Sequence, residues 1–172
     1  MLEILKYTLP ALIVFACTWT ILYMMIKNER ERRDLDLRKA SQKEFTAVRL
    51  RSYERLALLL DRTVPEHILR DIDVTNLTVK QLQILLLKTV RTEFDHNLSQ
   101  QIYVSNELWD SIKLVENELG RFITVGAAAF PPNGPALPYA QQLITMYNTN
   151  GVTPTQMAQE KLRDEARLLL RN

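Results

Sequence analysis

From Tyr7 to Ile26 the chain carries no charged residue. Twenty helical residues at ~1.5 Å each span ~30 Å, the thickness of a hydrocarbon core, so this stretch predicts one transmembrane helix. Tyr7 and Tyr23 stand near its ends, where amphipathic rings suit the interface, and Trp19 lies deeper than that preference. The run exceeds the apolar part of a cleavable signal peptide. Its distal end, Leu22-Tyr23-Met24-Met25-Ile26, offers no small-x-small cleavage site. A buried core helix fits poorly, because apolar residues surround the whole helix. Glu3 and Lys6 precede the stretch, whereas Lys27, Arg30, Arg32 and Arg33 follow it directly. Positive residues resist translocation, so the expectation is a single-pass protein with its C-terminal domain in the cytoplasm and the lipid bilayer as one partner.

The rest reads as helix. Only four glycines occur in 172 residues, and Leu, Arg, Glu, Gln and Ala are abundant. The expected fold class is all-α: an N-terminal transmembrane helix, a charged helical stalk, a small antiparallel helical bundle, and a C-terminal helix after a Pro-rich linker. The corresponding boundaries are an anchor over 1–27, stalk and bundle over 28–126, the linker over 127–139 and a C-terminal segment over 140–172. A net charge of +2 gives no argument for nucleic acid. The lone Cys17 excludes an internal disulfide and a cysteine-based metal site.

No Gly or Pro interrupts residues 27–64, and acid-first pairs such as Glu29/Arg33 support a continuous solvated helix. From Phe45 the pattern turns amphipathic, with Tyr53, Leu56, Ala57 and Leu60 on one face and Arg49, Arg51 and Arg55 facing elsewhere or snorkelling. Pro65 ends the helix. Thr78 and Gln81 form a capping box opening a helix whose stripe is Leu82, Leu86, Val90, Phe94 and Leu98, widened by Leu85 and Leu87. Ser105 is the next N-cap, with Val104 and Trp109 as a hydrophobic staple. Leu108, Ile112, Val115, Leu119 and Phe122 form a heptad seam that predicts antiparallel packing on the preceding helix. Gly126 is expected to stop it. A short helix over Ala140–Tyr147, a turn at Asn150-Gly151, and a last helix capped by Thr153 with Pro154 at its first position complete the chain. That helix presents Ala158, Leu162, Ala166 and Leu169 on one face.

Chemistry is sparse. Glu93 and His96 stand three apart on one helix face, as in di-iron bundles, and are the candidate metal ligands; no second Glu-x-x-His exists, since His67 lacks the spacing. Asn97, Gln100, Gln101 and Tyr103 are rich in uncharged hydrogen-bonding groups and read as a turn held by side chain–backbone bonds or as an interaction motif. Pro132, Pro135 and Pro138 read as a semi-rigid spacer. There is no Gly-rich phosphate loop and no Ser/His/Asp or Cys/His set, so no cofactor is expected.

At Arg51-Ser52-Tyr53-Glu54-Arg55-Leu56 and at Arg91 to Ser105 (RTEFDHNLSQQIYVS) the chain resembles an uncharacterised family of small bacterial membrane-anchored helical proteins over roughly residues 45–125. The resemblance implies a bacterial inner-membrane setting and no activity; residues 127–172 lie outside it. A looser likeness is to the membrane subunit of the rotary ATP synthase peripheral stalk, although Pro65 breaks the long helix here. The function expected is a membrane-tethered, non-enzymatic scaffold or accessory subunit that binds a protein partner or self-associates, without nucleic acid. The alternatives are a metal-dependent enzyme using Glu93 and His96, and a peripheral-stalk-like oligomer.

Overall fold

A computed structural model describes the backbone of residues 2–149 and 151–171, and side chains from Val14 onward within that range. The first helix, α1, covers Leu2–Arg62. The chain comprises two units, residues 1–46 and 47–172.

Unit 1 is helical, and its described side chains are exposed except for the half-buried Thr46. Arg33 pairs with Glu29 at 3.0 Å, as the four-residue spacing requires. Both side chains are more than half exposed, so the pair adds only a few tenths of a kcal/mol. The expected membrane span is corrected here: no helix among the described residues is long and apolar enough to cross a membrane. Among the residues with described side chains, which begin at Val14, a helix of the ~30 Å required takes in charged residues. Lys27, Glu29 and Arg30 are the first of these. Trp19, Tyr23 and Ile26 belong to this described stretch, and Tyr7 lies outside the described side chains. The single-pass, inner-membrane placement with a cytoplasmic C-terminal part falls with the span, and among the described residues Lys27, Arg30, Arg32 and Arg33 flank no membrane-crossing helix.

Unit 2 is a helical bundle. It takes in the end of α1, then α2 (Pro65–Arg70), α3 (Val79–Asn97), a 3₁₀ segment (Leu98–Tyr103), α4 (Asn106–Ala128), α5 (Ala136–Thr149) and α6 (Pro154–Arg171). Pro65 sits at the start of α2, where its missing N–H costs nothing and its ring fixes the backbone angle of a first turn. The helix starts follow side-chain chemistry. Thr78 and Gln81 bond each other's backbone N–H reciprocally at the head of α3. Ser105 accepts from the Leu108 N–H at the head of α4. Thr153 and Gln156 repeat the reciprocal pattern before α6.

The core follows the apolar stripes, with two departures. On α4 the buried series is Leu108, Ile112, Val115, Leu119 and then Ile123, whereas Phe122 is half-buried. A straight helix at 3.6 residues per turn drifts from a strict heptad, so the seam slips by one position at its end. On α3 a stripe at steps of four overshoots 3.6 residues per turn, so Asn97 is buried, and Leu98, which opens the 3₁₀ segment, is exposed; Leu85 also faces outward, so the α3 stripe is narrower than the sequence suggests. Helix α4 packs against α3, α5 and α6. Tyr53, Leu56, Leu59 and Leu60 of α1 belong to the same core.

Residues 127–139 are no spacer. Gly126 lies inside α4, which runs on to Ala128, and its backbone is ordinary helix. Its role is proximity: a Cβ there would stand 2.8 Å from Leu143 Cδ2 and 3.4 Å from the Tyr139 ring, so the missing side chain lets α5 approach α4. The prolines then fold back on the start of α3. The Val79 and Lys80 N–H groups donate to the carbonyls of Gly134 and Pro132, and the Ala136 N–H donates to the Leu77 carbonyl. Prolines serve such a segment because carbonyls, not N–H groups, are what the free N-terminus of α3 needs. The short helix expected over Ala140–Tyr147 is accordingly longer, with Tyr139 wholly buried and its hydroxyl donating to the Ile123 carbonyl at 2.8 Å. Asn150 of the expected turn lies outside the described residues.

Candidate functional site

Three places in unit 2 gather polar or open surface. The first is a polar knot that ties α6 to α1 and to the head of α4. Glu165 of α6 accepts from the Tyr53 hydroxyl at 2.9 Å and from Arg49 Nη2 at 3.1 Å. It also accepts from the Ser105 N–H at 3.0 Å and the Ser105 hydroxyl at 2.6 Å. Arg49 donates in addition to the Tyr53 hydroxyl at 2.6 Å and, through Nε, to the Tyr103 carbonyl at 2.9 Å. The carboxylate thus meets a guanidinium on one side and the positive end of α4 on the other, two partners of complementary sign. Burial pushes the Tyr53 hydroxyl up to about 12, helped by the hydrogen bond and charge of Glu165, while Arg49 pulls the other way. All four of these groups are engaged with one another, and the knot holds helices together.

Of the interaction motif read from the sequence, Tyr103 lends its backbone carbonyl to this knot. Asn97 is buried and donates to the Glu93 carbonyl at 2.9 Å, and Gln100 donates to the Ser99 hydroxyl at 3.1 Å. The first bond lies within the last turn of α3 and the second within the 3₁₀ segment. Gln101 is exposed.

The second place is a cleft of about 280 Å³ between α1 and the end of α3. It holds Glu93 and His96, the candidate metal ligands. Among the described residues no three of His, Cys, Asp and Glu stand together as a metal site. What faces the pair is Arg55 and Arg62, whose charge has the sign of a metal ion. His67 sits apart, its Nδ1 2.7 Å from the Asp61 carbonyl oxygen.

The third is an apolar groove of about 430 Å³ formed by α4, α5 and the start of α6. Val115, Leu119, Phe122, Met146 and Tyr147 line it, and Val125 and Val152 stand at its rim, 61% and 73% exposed. Phe122 and Tyr147 meet edge to face at 5.9 Å, and the Tyr147 hydroxyl donates to Thr155 at 3.0 Å, which fixes that wall. An ion pair between Arg121 and Glu118, at 2.7 Å, marks the polar edge. The groove exists because Phe122 is displaced from the seam by Ile123, a shift that heptad spacing does not show.

The knot's two charged members were legible in principle. Arg49 is four residues before Tyr53 and Glu165 three after Leu162, so each places a charge on an otherwise apolar stripe. Opposite charges on two such stripes are the mark of a partly buried pair. Neither a curated protein nor a solved structure matches the chain. A family model matches residues 1–169, nearly the whole chain, and the protein belongs to that family, a family of unknown function designated DUF7935.

Proposed function

We propose that this protein is a non-enzymatic helical scaffold or accessory subunit, and that unit 2 receives an amphipathic helix of a protein partner in the α4–α5–α6 groove. The observation that carries this reading is the groove itself: a concave wall of aliphatic, thioether and aromatic side chains, open to solvent and edged by one ion pair. Helix-in-groove recognition uses such a surface, with apolar anchors filling the trough and charged flanks meeting the rim. A photo-crosslinking residue in place of Val125 tests it in the producing cell. The expected result is a discrete protein adduct that disappears when Phe122→Asp is added and that a crosslinker in place of Glu54, on α1, does not give. A monomer band alone at Val125 overturns the reading.

A second reading has its own support in unit 1. Val14, Phe15, Trp19, Leu22, Met25 and Ile26 are each more than half exposed on one helix, a surface large enough to drive self-association. Single cysteines placed along residues 30–46 of a Cys17→Ser chain would crosslink into dimers on this reading and stay monomeric otherwise.

A further inference from the structure

We infer that the cleft between α1 and the end of α3 is a site for a small oxyanion of the phosphate class. Arg55 and Arg62 stand seven residues apart on α1, two turns or ~10 Å along one face, which lets their long side chains converge from either end on one bound group. Leu58 lies between them, 53% exposed, so nothing of the chain fills the space over it. Across the cleft stand His96 and Asn97 at the end of α3. Among the described residues neither Arg55 nor Arg62 enters an ion pair, whereas Arg49, Arg91 and Arg121 all do.

Two guanidiniums therefore face a single carboxylate, that of Glu93, and the cleft keeps a positive excess whether His96 is neutral or charged. Guanidinium groups match phosphate oxygens in pairs and hold their charge at any physiological pH, so the excess is permanent. The neighbouring cleft has the opposite character: Asp61, Asp71 and Glu93 line it with Arg62, Arg70 and His67, so acids outnumber permanent cations there. The volume of about 280 Å³ suits a phosphate-sized group and excludes a folded segment. The pairing of Glu93 with His96, which suggests a metal in the sequence, acquires its anion-binding sense only from the two arginines that α1 brings alongside.

The chain contains only two histidines, which makes the test clean. The full-length protein is titrated with inorganic phosphate at constant ionic strength while the imidazole carbon-bound protons are followed by NMR. The expected result is a saturable shift of the His96 resonance with half-saturation in the millimolar range, and a movement of His67 no more than a tenth as large. Arg55→Gln with Arg62→Gln should weaken half-saturation at least tenfold. Both side chains are exposed, and the far-ultraviolet circular dichroism of the double variant reports its fold. Glu93→Gln provides an independent arm, tightening half-saturation several-fold by removing the one repelling charge. A His96 shift that stays linear to high phosphate overturns the inference, as does one unchanged in both variants.

Discussion

Removing the Glu165 carboxylate is the most informative perturbation, because that one group joins α6 to α1 and to the head of α4. In Glu165→Ala, four hydrogen bonds are lost at once: those from Tyr53, from Arg49 and two from Ser105. Hydrogen bonds to a charged acceptor contribute about 1.5–3 kcal/mol each when isolated, yet the sum overstates the loss. Arg49 keeps its bonds to Tyr53 and to the Tyr103 carbonyl, and the Ser105 hydroxyl still caps α4. The pair is also not sealed from water, with side chains 27% and 18% exposed, so the 3–5 kcal/mol typical of breaking a fully buried pair is an upper bound. A net loss of about 2–3 kcal/mol results. For a unit of this size that lowers the melting temperature by roughly 8–15 °C. Thermal unfolding followed at 222 nm measures it, and a double-mutant cycle with Arg49→Ala should return a coupling of about 1–2 kcal/mol. Limited proteolysis should release α6 first, since the variant leaves the C-terminal half of that helix without its polar fastening, while Ala158, Leu162 and the Thr155 and Lys161 bonds hold the first half. A loss below about 0.5 kcal/mol, or a coupling indistinguishable from zero, would refute the assignment of the knot as the fastening of α6.

Other outcomes follow from single features. Gly120→Ala should raise stability by about 0.5–1 kcal/mol through helix propensity, since its Cβ would meet only Leu87 at an ordinary 3.9 Å. Gly126→Ala should fail to do so, and Gly126→Leu should cost about 2 kcal/mol or more by forcing α5 off α4; parallel melting curves decide. Leu56→Ala, at a fully buried position, should cost about 2–4 kcal/mol in urea unfolding. In an alkaline titration at 295 nm, Tyr53 and Tyr139 should ionise above the ordinary phenol range, because burial raises both. The sign is fixed by linkage: above pH 10 the unfolded Tyr53 loses its proton while the folded one holds it up to about 12. Stability is therefore full below pH 10 and falls as pH climbs through that window. A stability profile that is flat from pH 9.5 to 11.5 would contradict it.

The sequence by itself determined the helices, because their signals are local. The caps at Thr78, Ser105 and Thr153 act within one turn, and the stripes on α3, α4 and α6 are spacings along a single element. Most of the buried side chains were legible for the same reason. Tertiary structure alone decided the rest. A strict heptad count could not show that α4 drifts until Ile123 replaces Phe122, and that drift opens the apolar groove. Proline content suggested a semi-rigid spacer over 127–139, but the carbonyls of that segment satisfy the N-terminus of α3, a partner some fifty residues away in sequence. Glu93 and His96 were visible as a pair, whereas the arginines that set the sign of their cleft come from α1. Arg49 and Glu165 each looked like a stray charge until the fold placed them 3.1 Å apart. Local spacing reports which face of a helix is apolar. Only the packing of one face on another decides which charges meet, and those meetings make the knot, the groove and the cleft.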